Sequence, residues 1–234
     1  MTILAMSLKV NKGWRTIVKW VVWAVVGVLF LVFLVRVVSF ENNYYNEKEG
    51  SERAAATVNS EADELDEEEP SDKDVKAYLV APDRPRYLTV ERLGVTNARI
   101  LPMGVNTEGE LDTPKNIFDV GWYEGSSKPG QGGTLIIDGH NGGPHVQGVF
   151  KDLPKLAEGD VIKIERGDGE IFEYQVVENV AVSLDESNAY MSTASKSPKL
   201  GVESVTLITC TGEWSQSQQT YLSRQFTRAI LVEN

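Results

Sequence analysis

The chain predicts an all-β domain with a few short helices, set behind one apolar helix and an acidic linker. Three observations carry that expectation. From about residue 86, short runs rich in Val, Ile, Leu, Tyr and Phe alternate with Gly, Pro, Asn and Asp, the punctuation of a sandwich or barrel. No long amphipathic pattern of helical period interrupts those runs. Upstream, the 16 residues from Trp20 to Val35 carry no charged or strongly polar side chain.

As a helix, that apolar stretch is about 24 Å long, a little short of a hydrocarbon core of about 30 Å. Ile17, Val18, Val37 and Val38 extend it, and Lys19 and Arg36 have stems long enough to reach the two interfaces. The expectation is a single transmembrane helix over 17–38. No small-residue cleavage site follows it, so the helix stays as an anchor. Lys9, Lys12 and Arg15 precede it in segment 1–16, whereas Glu41 follows soon after it. This asymmetry puts the N-terminus in the cytoplasm and everything after the helix outside the cell.

Residues 39–85 are polar and acidic, with seven carboxylates among the nine residues 61–69. Such a segment is a solvated linker, with Ala and Glu enough for some helix. As a coil, about 40 residues reach roughly 35 Å. The Pro82-Asp-Arg-Pro85 stretch could fold back as a lid, and nothing in the sequence decides it.

The folded domain is expected over 86–234. Its strand candidates are 88–93, 98–103, 133–137, 161–165, 171–182, 204–209 and 224–232. Phe172, Tyr174 and Val176 alternate with Ile171, Glu173 and Gln175, the period of a strand with one buried face. Gly167-Asp-Gly169 reads as the hairpin turn before it. Short helices fit near 149–156 and 186–193.

Composition narrows the chemistry. A net charge of −11 leaves no basic surplus for a phosphate backbone, so nucleic acid is not an expected partner. One cysteine and two histidines exclude an internal disulfide and any cysteine-rich metal site. Asp185 and Glu186 lie in a plausible loop for calcium but make no sufficient ligand set. No metal and no cofactor are expected.

The lone cysteine, Cys210, ends the apolar run Val205-Thr-Leu-Ile-Thr-Cys210, just before Thr211-Gly212. A cysteine so flanked is commonly a small buried hydrophobe. Two other residues favour chemistry. His140 follows the strand Thr134-Leu-Ile-Ile137 in the glycine-rich turn Asp138-Gly-His-Asn-Gly-Gly143, and Arg224 begins the last strand 14 residues beyond Cys210. A thiolate can attack an acyl group, an imidazole can move the protons, and a guanidinium can hold an oxyanion.

Thr206-Leu-Ile-Thr-Cys210 resembles the T-L-x-T-C signature of the sortases, membrane-anchored cysteine transpeptidases of bacterial cell surfaces. Gly139-His140 after a hydrophobic strand is similar to the same family, as are Arg224 five residues before Ala229 and the order His, Cys, Arg. So is Gly121-Trp-Tyr followed by Lys128-Pro-Gly130. The resemblance covers about 86–233. It implies an eight-stranded β-barrel, Cys210 as nucleophile, His140 as general acid/base and Arg224 as oxyanion stabiliser. It further implies surface proteins with an LPxTG-like sorting signal as substrates, and an amine of a peptidoglycan precursor or pilin as acceptor.

Weaker candidates are Thr209, which could shape the oxyanion site, Asp138, which could orient His140, and Trp214, which could flank the groove or cap the barrel end. Arg228 lies on the same strand face as Arg224 and competes with it. His145 reads as an ordinary loop residue. Two other readings stay open: a membrane-anchored β-domain that only binds or adheres, and an L,D-transpeptidase, whose S-H-G-x and S-x-G-C stretches are missing here.

Overall fold

The computed structural model describes residues 65–106 and 109–232. The predicted cytoplasmic segment, the membrane helix and the linker up to residue 64 lie outside the described residues. Among the described residues no helix is long and apolar enough to cross a membrane.

Eight strands close a barrel. They are β1 (Pro85–Val90), β2 (Val95–Met103), β3 (Val120–Tyr123), β4 (Thr134–Gly139), β5 (Val161–Arg166), β6 (Ile171–Ser183), β7 (Ser204–Ser215) and β8 (Thr220–Leu231). Around the barrel the order is β1-β2-β3-β4-β7-β8-β6-β5, with β1 pairing β5 to close it. The β2–β3 and β4–β7 junctions are parallel and the rest antiparallel. Helix α1 (Asp72–Ala77) precedes the barrel, and helix α2 (Leu184–Ala194) joins β6 to β7.

Period-2 alternation sorts the side chains onto two faces. Leu88, Trp122, Leu135, Ile137, Tyr174 and Leu207 fill the barrel, all 2% exposed or less. Ile136, Ile208 and Phe226 instead point outward and are covered by Ala194, Tyr190 and Met191 of α2. Tyr174 meets Glu203 at 2.6 Å, and Glu203 also accepts from the backbone N–H groups of Gly130 and Gly132 at 3.0 and 2.7 Å. That buried carboxylate fastens the turn before β4 to the start of β7.

Several elements differ from the expectation. The 88–93 run divides, because Glu91–Leu93 turns as a 3₁₀ helix ended by Gly94 at φ 72°. β3 is an additional strand. Its four residues are too few to show a period, and Trp122 and Gly121 mix sizes. β7 does not stop near Thr209, and β8 starts four residues before Arg224. The two run on past Cys210 as a polar hairpin, with a register shift between Thr211 and Trp214 where Gly212 takes φ 83°. Backbone pairing there needs no apolar side chains, so hydropathy did not report it.

Residues 65–84, expected within the solvated linker, lie against the barrel. Tyr78 is buried and its hydroxyl donates to the Ile100 carbonyl at 2.5 Å. Asp66 pairs with Asn116 as a short parallel bridge, its N–H on the Lys115 carbonyl and its carbonyl on the Ile117 N–H, both 3.0 Å. Pro82–Pro85 does not approach Cys210. Arg84 pairs with Glu124 at 3.1 Å and Asp83 with Lys128, near the β5–β6 turn at the far end of the barrel.

Candidate active site

Strand pairing brings the predicted residues to one rim. β4 and β7 run parallel with Asp138 opposite Ile208. Two residues farther along, the first chain delivers His140 and the second Cys210. On the other side of β7, Cys210 sits directly opposite Arg224 in the antiparallel β7–β8 ladder. Alternation puts Asp138, Cys210 and Arg224 on the outer face, in line with Ile136, Ile208 and Phe226. The thiol is therefore half-buried on the outer wall rather than sealed in the barrel.

Burial pushes the Cys210 thiol above its usual pKa; the Arg224 charge works against that, and Asp138 adds to it. His140 is half-buried, and its Nε2 lies 2.7 Å from the Pro114 carbonyl. A carbonyl oxygen only accepts, so Nε2 carries the proton and Nδ1 is left as the basic nitrogen. Burial pulls the imidazole below its ordinary pKa, partly offset by the Pro114 contact. With the thiol raised and the ring lowered, both groups are mostly neutral near pH 7.

Arg224 donates from Nη1 to the Tyr221 and Ser223 carbonyls at 3.0 and 3.2 Å, and from Nη2 to Thr220 Oγ1 at 3.3 Å. These neutral acceptors fix the guanidinium without cancelling its charge. Among the described residues no carboxylate forms an ion pair with it.

Arg228, the competing arginine, is occupied elsewhere. It is buried, pairs with its cross-strand partner Glu178, and donates from Nη2 to the Thr193 and Lys196 carbonyls at 3.2 and 2.9 Å. It thus caps the C-terminal end of α2.

The weaker candidates separate by face. Thr209 points into the barrel, away from Cys210, and its hydroxyl donates to the Gly139 carbonyl at 2.7 Å, locking β7 to β4 just below the rim. Asp138 is buried, accepts from the Thr113 hydroxyl, and has its pKa pushed up to about 7 by desolvation. Trp214 is half exposed on the outer hairpin, edge-on to Tyr221 with ring centroids 5.2 Å apart. His145 is exposed, and its backbone N–H donates to Glu67 at 2.8 Å. Asp185 and Glu186 lie in the first turn of α2, and Glu186 accepts from Ser183 at 2.8 Å. No group of three or more possible metal ligands forms among the described residues.

Sequence reasoning did not single out Thr113, Pro114 or Gly121 for the site. The first two lie in the irregular segment between β2 and β3, where no periodicity exists to flag them. Gly121 pairs with Asp138, and a Cβ there would come within 2.5 Å of Asp138 Oδ1 and 3.1 Å of Pro114 Cδ.

A search of curated proteins found no match. Solved structures that resemble the chain include sortase C-1 of Actinomyces oris (22% identity, 81% of this chain and 99% of that one, TM-score 0.48). Others are a Sortase D5 transpeptidase of Clostridium perfringens (20%, 79% and 99%, 0.46) and a Sortase C of Streptococcus pneumoniae (19%, 80% and 89%, 0.47). The Sortase domain family matches residues 88–232, from within β1 to the end of the described barrel. On that match the chain belongs to the sortase family, the cysteine transpeptidases.

Proposed function

We propose that this transpeptidase cleaves an LPxTG-like sorting signal through a thioester on Cys210 and passes the acyl group to an amine. The observation that carries the proposal is the direct pairing of Cys210 with Arg224, beside the strand that delivers His140.

In this reading the Cys210 thiol gives its proton to Nδ1 of His140 and the thiolate attacks the threonine carbonyl of the signal. Arg224 faces the oxygen as it becomes negative. The imidazolium then protonates the departing glycine nitrogen as the C–N bond breaks, leaving a thioester. An incoming amine loses its proton to the imidazole, attacks the thioester and expels the thiolate. The acceptor amine belongs to a peptidoglycan precursor or to a pilin. Anchored by helix 17–38, the N-terminus lies in the cytoplasm and the barrel acts outside the cell.

A fluorogenic LPxTG-type peptide, with and without an amine acceptor, tests the proposal. Cleavage by the parent chain, a trapped acyl-enzyme at Cys210 by mass spectrometry, and loss of both in Cys210→Ala are expected. Equal turnover by Cys210→Ala would remove the mechanism, and no turnover of any such peptide by the parent would favour a binding domain.

A further inference from the structure

The buried carboxyl of Asp138 has no place in the steps above, yet its surroundings are built to hold it. Asp138 lies on β4 opposite Gly121 of β3. The missing side chain at Gly121 leaves a slot bounded by Met103, Pro114 and the Asp138 carboxyl itself. Inside it, Asp138 Oδ2 accepts from the Thr113 hydroxyl. The residue after Thr113 is Pro114, whose carbonyl meets His140 Nε2. Two hydrogen bonds therefore run from one two-residue segment, one to Asp138 and one to the imidazole two residues farther along the same chain.

We propose that Asp138 is a positioning residue for His140: its grip on Thr113 holds the Pro114 carbonyl where it meets the imidazole. The inference rests on the reading of His140 as the acid/base. Thr113 and Pro114 belong to no strand: backbone pairing stops at the Val105–Leu111 bridge and the Asp112 N–H on one side and resumes at the Lys115 carbonyl, which accepts from Asp66, on the other. Proline lacks an N–H and fixes φ, so within this unpaired step the Thr113 hydroxyl is the side-chain handle that sets the Pro114 carbonyl. Fixing Nε2–H to one acceptor selects the tautomer with a free Nδ1, and it favours the charged ring against burial. Asp138 does not touch His140 by hydrogen bond; it acts through the backbone between Thr113 and Pro114. The other ionisable groups near the carboxyl are Asp112, on the loop before β3, and Cys210, on β7.

The test uses the full-length chain in detergent with ¹⁵N-labelled histidine, since only His140 and His145 give signals. Thr113→Val keeps the carboxyl but removes the donor, and Asp138→Asn removes the charge but keeps an acceptor for it. In the parent and Asp138→Asn, His140 is expected as the Nε2–H tautomer with one unchanged pKa. In Thr113→Val and Asp138→Ala, mixed tautomers, a lower ring pKa and a kcat drop of about tenfold or more are expected, with KM nearly unchanged. The His145 signals act as the internal check that the fold is retained. A single unchanged His140 tautomer and pKa in folded Thr113→Val overturns the proposal, whatever the turnover. A parent that turns over no peptide but shows the tautomer response overturns only the reaction assigned to the site.

Discussion

The two arginines of β8 are four residues apart on one strand face, and the structure gives them opposite tasks. Replacing Arg224 with Ala removes three hydrogen bonds to neutral acceptors at a partly buried position. Water can take over those acceptors, so the expected loss of stability is below about 1 kcal/mol. The same change removes the one cation that acts on the thiol among the described residues. Loss of a single oxyanion donor costs about 2.7–4 kcal/mol in the transition state, so kcat should fall about 10²–10³-fold. Arg228→Ala reverses the balance. It leaves Glu178, whose side chain is 37% exposed, with only the Tyr190 hydroxyl, and removes a donor from two carbonyls at the end of α2. Breaking a buried pair costs about 3–5 kcal/mol, and the partial exposure of Glu178 puts this one near the lower end. The assay pairs urea denaturation with turnover of a sorting-signal peptide, both corrected to the folded fraction. Arg228→Ala should lose about 3 kcal/mol while its folded molecules keep kcat within about threefold. If Arg228→Ala instead loses turnover at full stability, and Arg224→Ala keeps turnover, the assignment of the two guanidiniums is wrong.

Asp138→Asn should alter how stability depends on pH. The folded carboxyl titrates near 7 rather than 3.8, so it favours the fold fully below 3.8 and loses that contribution as pH rises through 7. Its destabilising effect should grow by about 2–3 kcal/mol between pH 5 and pH 8, and the Asn variant should gain that much relative to the parent. His140, whose pKa is lowered, runs the other way, losing stability below 6.5, but it cancels in the comparison. A parent–variant difference that is the same at both pH values would contradict the buried, strained carboxyl. Glu203→Gln should cost about 2–3 kcal/mol in denaturant, because the charged acceptor of two backbone N–H groups and the Tyr174 hydroxyl is replaced by a half-mismatched amide. A midpoint unchanged from the parent would show that the carboxylate does not hold the turn.

The sequence showed those parts of the molecule that repeat or that carry rare chemistry. The period of Phe172, Tyr174 and Val176 marked β6 because one face is buried and the other is wet. The lone thiol, the glycine-flanked imidazole and Arg224 were conspicuous for being scarce or abruptly placed. Thr209 gave no sign of its face, because register belongs to the β4–β7 pairing and not to one strand. The outer half of the β7–β8 hairpin stayed hidden, since apart from Trp214, Tyr221 and Leu222 its residues are polar and backbone pairing carries it on past the apolar run. Arg228 stayed a competitor, with only the spacing to Ala229 favouring Arg224, because its partner Glu178 lies 50 residues away and meets it only through the β6–β8 ladder. Asp66 and Glu67 read as solvated charge, yet both bond to loops beside His140, contacts that no composition can anticipate.

The parallel seam between β4 and β7 joins residues 70 positions apart, as in the contact of Thr134 with Ser204. Joining such distant segments means paying for a long loop before any contact rewards it, and this is slow compared with zipping a local hairpin. β7 and β8 can find each other early and seat the sulfur beside the guanidinium, while the imidazole comes with a strand recruited from far upstream. A chain in which that seam has not yet formed therefore carries a thiol with no proton partner, so reactivity waits on the β4–β7 junction.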